Sequence, residues 1–357
     1  MKIKNKIQKK IFIVIGILTA FSCSNNIESY NSAIIKSEFI YEISDAQTPQ
    51  CHASTIAVSG KNIVASWFGG THEKNPDVGI WVATKENDNW SKPVEVVNGV
   101  QKDGSRFPCW NPVLFQPKNG PLFLFYKVGP SPREWWGLYL TSTDNGKHWS
   151  EPVLLPKEIY GPIKNKPVQL ENGLILSPTS TEHDGWKIQI EKSSDLGKTW
   201  RTSGDLNDGK EFGAIQPTIL IHQNNKIQLL CRTENEVISQ VWSNDNGKTW
   251  DKMRSLNLPN PNSGIDAVTL KDGRHLLVYN PTTKNWGDRV PLSIAISKDG
   301  ITWNKILDLE KVSDAKNTDK EEYSYPSVIQ ADDGKVHIVY TWNRKTVKYV
   351  LLDPEKI

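Results

Sequence analysis

Several features that assign a function quickly are missing from these 357 residues. There is no glycine-rich loop of the kind that cradles phosphate, and no clustered set of histidines and cysteines at metal-ligand spacing, so neither a cofactor nor a metal is expected. Cysteine is scarce. Cys23, Cys51, Cys109 and Cys231 contain no CxxC pair. The last three are an odd number, so a disulfide framework is not needed and buried structural thiols are expected. No segment sustains the 3.6-residue periodicity of a long helix. Positive charge is thin as well. The formal charge is +3, but Lys2, Lys4, Lys6, Lys9 and Lys10 all precede Ile11, and without those five lysines it is −2. No basic stripe remains to neutralise phosphates, so no nucleic-acid partner is expected.

The start of the chain reads as a leader. The lysines are followed by an apolar run, Ile11 to Phe21, which is short of the about 20 residues a bilayer-spanning helix requires. A charged segment, a short apolar segment and small residues after it form a secretory signal over residues 1–22. Cys23 follows directly and resembles the lipidated cysteine of a bacterial lipoprotein, with Ala20 where leucine is usual; an ordinary cleaved signal with an incidental cysteine is the alternative. The expected organisation is a signal peptide at 1–22, lipidation at Cys23, a flexible tether over 23–36 and a folded domain over 37–357. Such a protein is exported to the periplasm or outer membrane, touches the membrane only through its lipid, and is expected to be a monomer.

What the sequence has in quantity is tryptophan, fourteen in all. Four of them end one repeated pattern: Ser142 to Trp149 (STDNGKHW), Ser193 to Trp200 (SSDLGKTW), Ser243 to Trp250 (SNDNGKTW) and the shorter Ser297 to Trp303 (SKDGITW), spaced 51, 50 and 53 residues apart. A degenerate copy ends at Trp90. The Asp caps backbone N–H groups, the Gly takes φ > 0 in a tight hairpin turn, and the Trp packs beneath it. A period near fifty with strand-like alternation, as in Gly137–Thr141 and Lys187–Glu191, means stacked or radial units of about four strands. Leu122–Tyr126 and His275–Tyr279 read as inner strands.

These patterns are Asp-box repeats, and the chain resembles the sialidase-like propellers. The resemblance implies an all-β fold, and roughly 320 residues divide into six blades of the observed period. The aspartates of the turns are structural under this reading, and the chemistry lies at one mouth of the central channel. True exo-sialidases use three arginines for the sugar carboxylate, a tyrosine activated by a glutamate, and an aspartate as acid/base. By motif, Tyr325 in Tyr325-Pro326-Ser327-Val328 matches the tyrosine, and Arg232 and Arg289 match the second and third arginines. The loop from Thr71 to Asp77 matches the acid/base position, with His72, Glu73 and Asp77 as candidates. Two positions depart: His52 stands in the place of the first arginine, and Gln216 in the place of the activating glutamate. An amide cannot accept the tyrosine's proton.

The remaining set favours an acidic sugar and a different reaction. Arg232 and Arg289 can grip a carboxylate and stabilise both a phenolate and an enediolate. One of Tyr325 and His52 then removes the C5 proton of a uronate while the other protonates the group leaving C4, a β-elimination that makes the enzyme a lyase if that group is a sugar and a dehydratase if it is a hydroxyl on a terminal uronate. This equipment is similar to that of propeller-fold polysaccharide lyases. Trp110, Asn111, Lys166, Glu182, His183, Gln216 and Asp266 complete the candidate substrate contacts, with Lys164 adding positive potential. Two alternatives stay open: a sialidase-type exo-hydrolase acting on a terminal acidic sugar, and a glycan-binding propeller without turnover.

Overall fold

The computed structural model describes residues 30–313 and 321–357. The expected leader and Cys23 lie outside the described residues. Among the described residues the strands form six antiparallel sheets, the blades of a propeller, each built from four strands, in chain order in all but the last, with an extra edge strand on the first. Blade 1 runs through Gln50–Ser59, Asn62–Gly70 and Gly79–Glu86; blade 2 through Cys109–Phe115, Leu122–Val128 and Trp136–Ser142; blade 3 through Val168–Gln169, Ile175–Thr181 and Lys187–Ser193. Blade 4 has Ala214–Ile221, Ile227–Thr233 and Val237–Ser243; blade 5 has Asp266–Thr269, His275–Tyr279 and Leu292–Ser297; blade 6 has Tyr323–Gln330, Val336–Trp342 and Thr346–Leu352. The chain's first described strand, Ile34–Phe39, pairs antiparallel with Thr346–Leu352 and completes blade 6, so the two ends of the domain close the ring together.

Cys109–Phe115 is buried along its whole length because neighbouring blades cover both faces; Gln50–Ser59, Ala214–Ile221 and Tyr323–Gln330 are buried over most of theirs, and Val168–Gln169 is half-buried. Leu122–Tyr126 and His275–Tyr279, expected as inner strands, are second from the axis; their apolar runs reflect burial between blades, which the second strands share. Val113, Phe115, Phe123 and Phe125 of blade 2, for example, pack on Ile175 of blade 3. Each such side chain contributes about 1.5–3 kcal/mol when buried, against about 1 kcal/mol for a turn hydrogen bond. The interblade walls therefore dominate the stability.

The repeated turns are built as their spacing predicts. In blade 3, Ser193 Oγ accepts from Gly197 N at 2.8 Å and donates to Asp195 Oδ1, which also accepts from Thr199 N at 2.9 Å. Ser243, Asp245 and Gly247 repeat the arrangement, as do Ser142, Asp144 and Gly146. The degenerate copy before Trp90 does not. It lacks the serine, and its Asp88 pairs with Lys36 and Lys85. No described helix is long and apolar enough to cross a membrane.

The innermost strands carry a second repeated device that positions the site. Register shifts fall between His52 and Thr55, Trp110 and Val113, Ile215 and Thr218, and Ser324 and Ser327. Each is a β-bulge, and at each one residue sits at positive φ: Ala53 at 55°, Asn111 at 32°, Gln216 at 56° and Tyr325 at 53°. A side chain there costs about 1–3 kcal/mol and is retained where the surroundings over-determine it. Three of the four precede a proline (Pro112, Pro217, Pro326), which has no N–H to lose from the broken ladder. The bulges re-aim Asn111, Gln216 and Tyr325 into a cavity at one mouth of the channel.

Candidate functional site

The cavity holds about 450 Å³ and is formed by starts of first strands and by hairpins between second and third strands. Blade 1 supplies His52, Glu73 and Lys74; blade 2 Trp110, Asn111, Arg133 and Trp135; blade 3 Glu182 and Trp186; blade 4 Gln216 and Arg232; blade 5 Trp286 and Arg289; blade 6 Tyr325 and Arg344. Five cationic side chains face two carboxylates in this lining, so an anionic ligand is favoured.

Tyr325 sits at the centre. Its ring lies 4.2 Å, centroid to centroid, from that of His52. Arg232 Nη1 donates to its Oη at 2.9 Å, and Gln216 Nε2 lies 3.4 Å from the same oxygen. The guanidinium carbons of Arg232 and Arg289 are 5.9 and 5.6 Å from the ring centroid, so both arginines converge on the phenol. Their roles differ. Arg232 is fully buried, with its Nε and Nη2 on Asn262 and its Nη1 on Tyr325 and Gln216. Its donors are committed within the protein, and it makes no ion pair among the described residues with the nearby Glu234 or Glu236.

Arg289 belongs to a second cationic unit whose other members, Glu322 and Arg344, were not foreseen from the sequence. Glu322 Oε1 accepts from Arg289 Nη1 at 2.9 Å and Oε2 from Arg344 Nε at 3.0 Å, while Arg344 Nη1 reaches Glu73 at 2.8 Å. Burial would raise the Glu322 carboxyl, but the positive groups around it, Arg289 and Arg344 among them, outweigh burial and hold it well below the usual carboxylate range. Among the described residues Arg289 gives one side-chain hydrogen bond and Arg344 two, so both keep guanidinium donors for a ligand carboxylate. Arg344 lies in a tight turn where Asn343 and Arg344 take φ of 49° and 55°. Asn-Gly is the usual pair in such a turn. An arginine in place of that glycine is the signal that could have found it.

His52 is 2% exposed, and its Nδ1 has no partner among the described residues. Burial, reinforced by the charge on Arg344, pushes the imidazole well below its usual 6.5, so it is neutral at physiological pH. Glu182 behaves oppositely. Burial raises its carboxyl despite Arg232 and Arg133, which makes it an acid-poised group inside the cavity.

Trp110, Asn111, Glu182 and Gln216 thus share the cavity with His52, Tyr325, Arg232 and Arg289, and five other candidates do not. His72 is exposed, with Nδ1 against the Glu73 carbonyl. Asp77 accepts from Thr71 N and Oγ1 and braces the loop that presents Glu73. Lys166, half-buried, and the fully buried Asp266 form an ion pair at 2.9 Å, and Asp266 also accepts from Thr218 Oγ1 and Val328 N. That pair ties blades 3, 4, 5 and 6 together beneath the site, and Lys166 faces a separate cavity of about 680 Å³ at the opposite end of the first strands. His183 Nε2 meets Tyr160 Oη at 2.9 Å in a different depression. Alternation explains the last miss: Glu182 and His183 are neighbours in sequence and point apart. Cys51, Cys109 and Cys231 are free and buried. No group of described residues could hold a metal.

Residues 61–338 match the BNR repeat-like domain family. No curated protein sequence matches the chain. Among solved structures, a protein of unknown function from Dyadobacter fermentans is 17% identical, with a TM-score of 0.71 over 90% of this chain and 98% of that one. The Hadza microbial sialidase Hz136 is 14% identical, with a TM-score of 0.73 over 90% and 69%. The intramolecular trans-sialidase from Ruminococcus gnavus, in complex with oseltamivir carboxylate, is 14% identical, with a TM-score of 0.69 over 91% and 98%. At these identities the likeness shows a shared fold.

Proposed function

Since the chain belongs to the BNR repeat-like family and has the sialidase-like propeller fold, we propose that it is a carbohydrate-active enzyme that cleaves acidic oligosaccharides by β-elimination at a uronate. The observation that carries this reading is the pairing around Tyr325. Its hydroxyl meets a guanidinium and an amide, with a neutral imidazole against its ring. Among the described residues no carboxylate bonds the phenol to activate it as a nucleophile.

In this reaction Arg289 and Arg344 bind the uronate carboxylate and offset the charge that builds on it as the C5 proton leaves. Tyr325 and His52 share the two proton transfers. One takes the proton from C5, the electron pair becomes the C4–C5 double bond through the enediolate, the C4–O bond breaks, and the other protonates the departing oxygen. No water, oxidant or metal enters the balance. Arg232 stabilises the phenolate whenever Tyr325 is without its proton. Trp186 and Trp286, rings 6.0 Å apart beside Arg232, offer apolar faces to sugar C–H groups. The leader and Cys23, as read from the sequence, support an exported protein anchored by lipid.

A second reading has its own support. Glu182 opens into the cavity with a raised pKa, the property of a general acid for hydrolysis of a terminal acidic sugar, and the sialidase Hz136 shares the fold. Product analysis separates the two. Incubation with a glucuronate-containing disaccharide should yield an unsaturated uronate, detected by ultraviolet absorbance and a mass equal to the parent less the leaving saccharide. Release of free sialic acid from a sialyllactose, with the uronate untouched, would replace elimination by hydrolysis.

The pH dependence follows from His52. With its pKa well below 6.5, the imidazole becomes charged only as pH falls far under that value. The acid limb of kcat/KM is therefore expected well below pH 6.5, and a limb at or above 6.5 assigned to His52 by its loss in His52→Gln would contradict the neutral assignment.

A further inference from the structure

Blade 3 has the shortest first strand, and it shares the lack of a bulge with blade 5. Its first strand, Val168–Gln169, is only two residues long and carries no bulge of the kind seen in blades 1, 2, 4 and 6. In front of it stand Lys164 and Asn165, which are 2% and 1% exposed. Lys164 Nζ donates to the Pro326 carbonyl, which follows the strained Tyr325, and to the Ile265 carbonyl and Asn165 Oδ1, both at 2.9 Å. Asn165 Nδ2 donates to the carbonyl of the other strained residue, Gln216, at 2.9 Å. Two adjacent side chains from one blade thus pin the two bulges whose side chains meet at the phenol.

The remaining neighbours complete the same restraint. Ser54 Oγ of blade 1 donates to the Tyr325 carbonyl at 3.3 Å. At Gly264, leading into blade 5, a Cβ would approach the Tyr325 ring carbons to 3.3 Å and Lys164 Cε to 3.1 Å, so the absence of a side chain there leaves the ring its space. A buried ammonium is costly unless fully hydrogen-bonded, and burial lowers this one to about 7. Its three acceptors offset that cost.

From this arrangement we infer that Lys164 and Asn165 are positioning residues: they hold Tyr325 and Gln216 at positive φ and thereby keep the phenol oxygen on Arg232. The inference rests on the reading of Tyr325 as the acid–base group. It says more than that reading does, because neither residue touches substrate.

The test uses Lys164→Met, which keeps the stem and removes the donors, and Asn165→Ala. Each is assayed for kcat and KM on the glucuronate-containing disaccharide and the sialyllactose, for thermal midpoint, and by crystal structure. The expected result for Lys164→Met is a folded protein in which Tyr325 leaves positive φ and its Oη leaves Arg232. Its kcat should fall on the order of a hundredfold, with KM within about threefold, since Arg289 and Arg344 still hold the carboxylate. A folded variant with Tyr325 still at positive φ and still on Arg232 overturns the inference, whatever its activity. If the phenol moves and turnover is unchanged, the clasp stands and it is the catalytic role of Tyr325 that falls. Should Lys164→Met not fold, Asn165→Ala decides: relaxation of Gln216 with a fall in kcat supports the clasp, and an unmoved Gln216 overturns it.

Discussion

Replacement of Tyr325 by phenylalanine should lower kcat by about 10²–10⁴-fold, the usual worth of a positioned acid–base group, while binding of an acidic sugar changes only a few-fold. The asymmetry follows from what the hydroxyl does. It takes no part in gripping the carboxylate, which falls to Arg289 and Arg344, and the ring that packs at 4.2 Å from His52 is kept. Arg232 loses its 2.9 Å partner but retains Asn262 and Gln216, so the fold should survive with a loss of about 1.5–3 kcal/mol at most. Steady-state kinetics beside calorimetric titration with glucuronic acid checks this. Retention of most of the activity would remove Tyr325 from the chemistry.

The second large effect is expected at Glu322. Its carboxylate is shared by Arg289 and Arg344, and removal leaves Arg289 without that partner and Arg344 with Glu73 alone. Breaking a buried pair by deleting one partner costs about 3–5 kcal/mol; Glu322 is about one-fifth exposed, so Glu322→Ala should cost somewhat less, about 2–3 kcal/mol, read as a lower urea midpoint at unchanged slope. The sign with pH is fixed by the direction of the shift. A carboxyl held below its usual 4.5 contributes stability that is fully present above that value and is lost as pH falls through the depressed one. The variant should therefore lose less stability than the wild type on acidification. An unchanged midpoint at pH 7 would mean that the arginines need no common counter-ion.

The fold was legible because its signals are local. Each Asp-box turn is eight residues or fewer and closes on itself, Ser193 with Asp195 and Gly197, so spacing alone declares it. Tyr325 and Gln216 were legible through their match to the sialidase motifs; the structure adds that each, like Asn111, precedes a proline at a β-bulge, a pattern a regular ladder excludes. The rest of the site is assembled mostly from hairpins of blades 1, 2, 3, 5 and 6. Arg344 reaches Glu73 across 271 positions, and nothing near it in sequence marks it except its unusual turn. Lys166 and Asp266 show the reverse error. They have the residue types of a binding site and lie near the axis, but their charges satisfy one another at 2.9 Å, and pairing of that kind serves the interblade contacts rather than a ligand. Glu182 and His183 differ by one residue and hence by one face of the hairpin.

The central claim is that a sugar carboxylate is gripped by Arg289 and Arg344 next to Tyr325, and one comparison tests it most directly. Titration calorimetry of the intact protein with a glucuronate-containing disaccharide, and with the same disaccharide as its methyl ester, isolates the charge at nearly constant shape. Loss of a charge-assisted contact worth about 1.5–3 kcal/mol predicts that the ester binds at least tenfold more weakly, and that Arg344→Met abolishes the difference. Equal affinity for acid and ester in the wild-type protein would contradict the account.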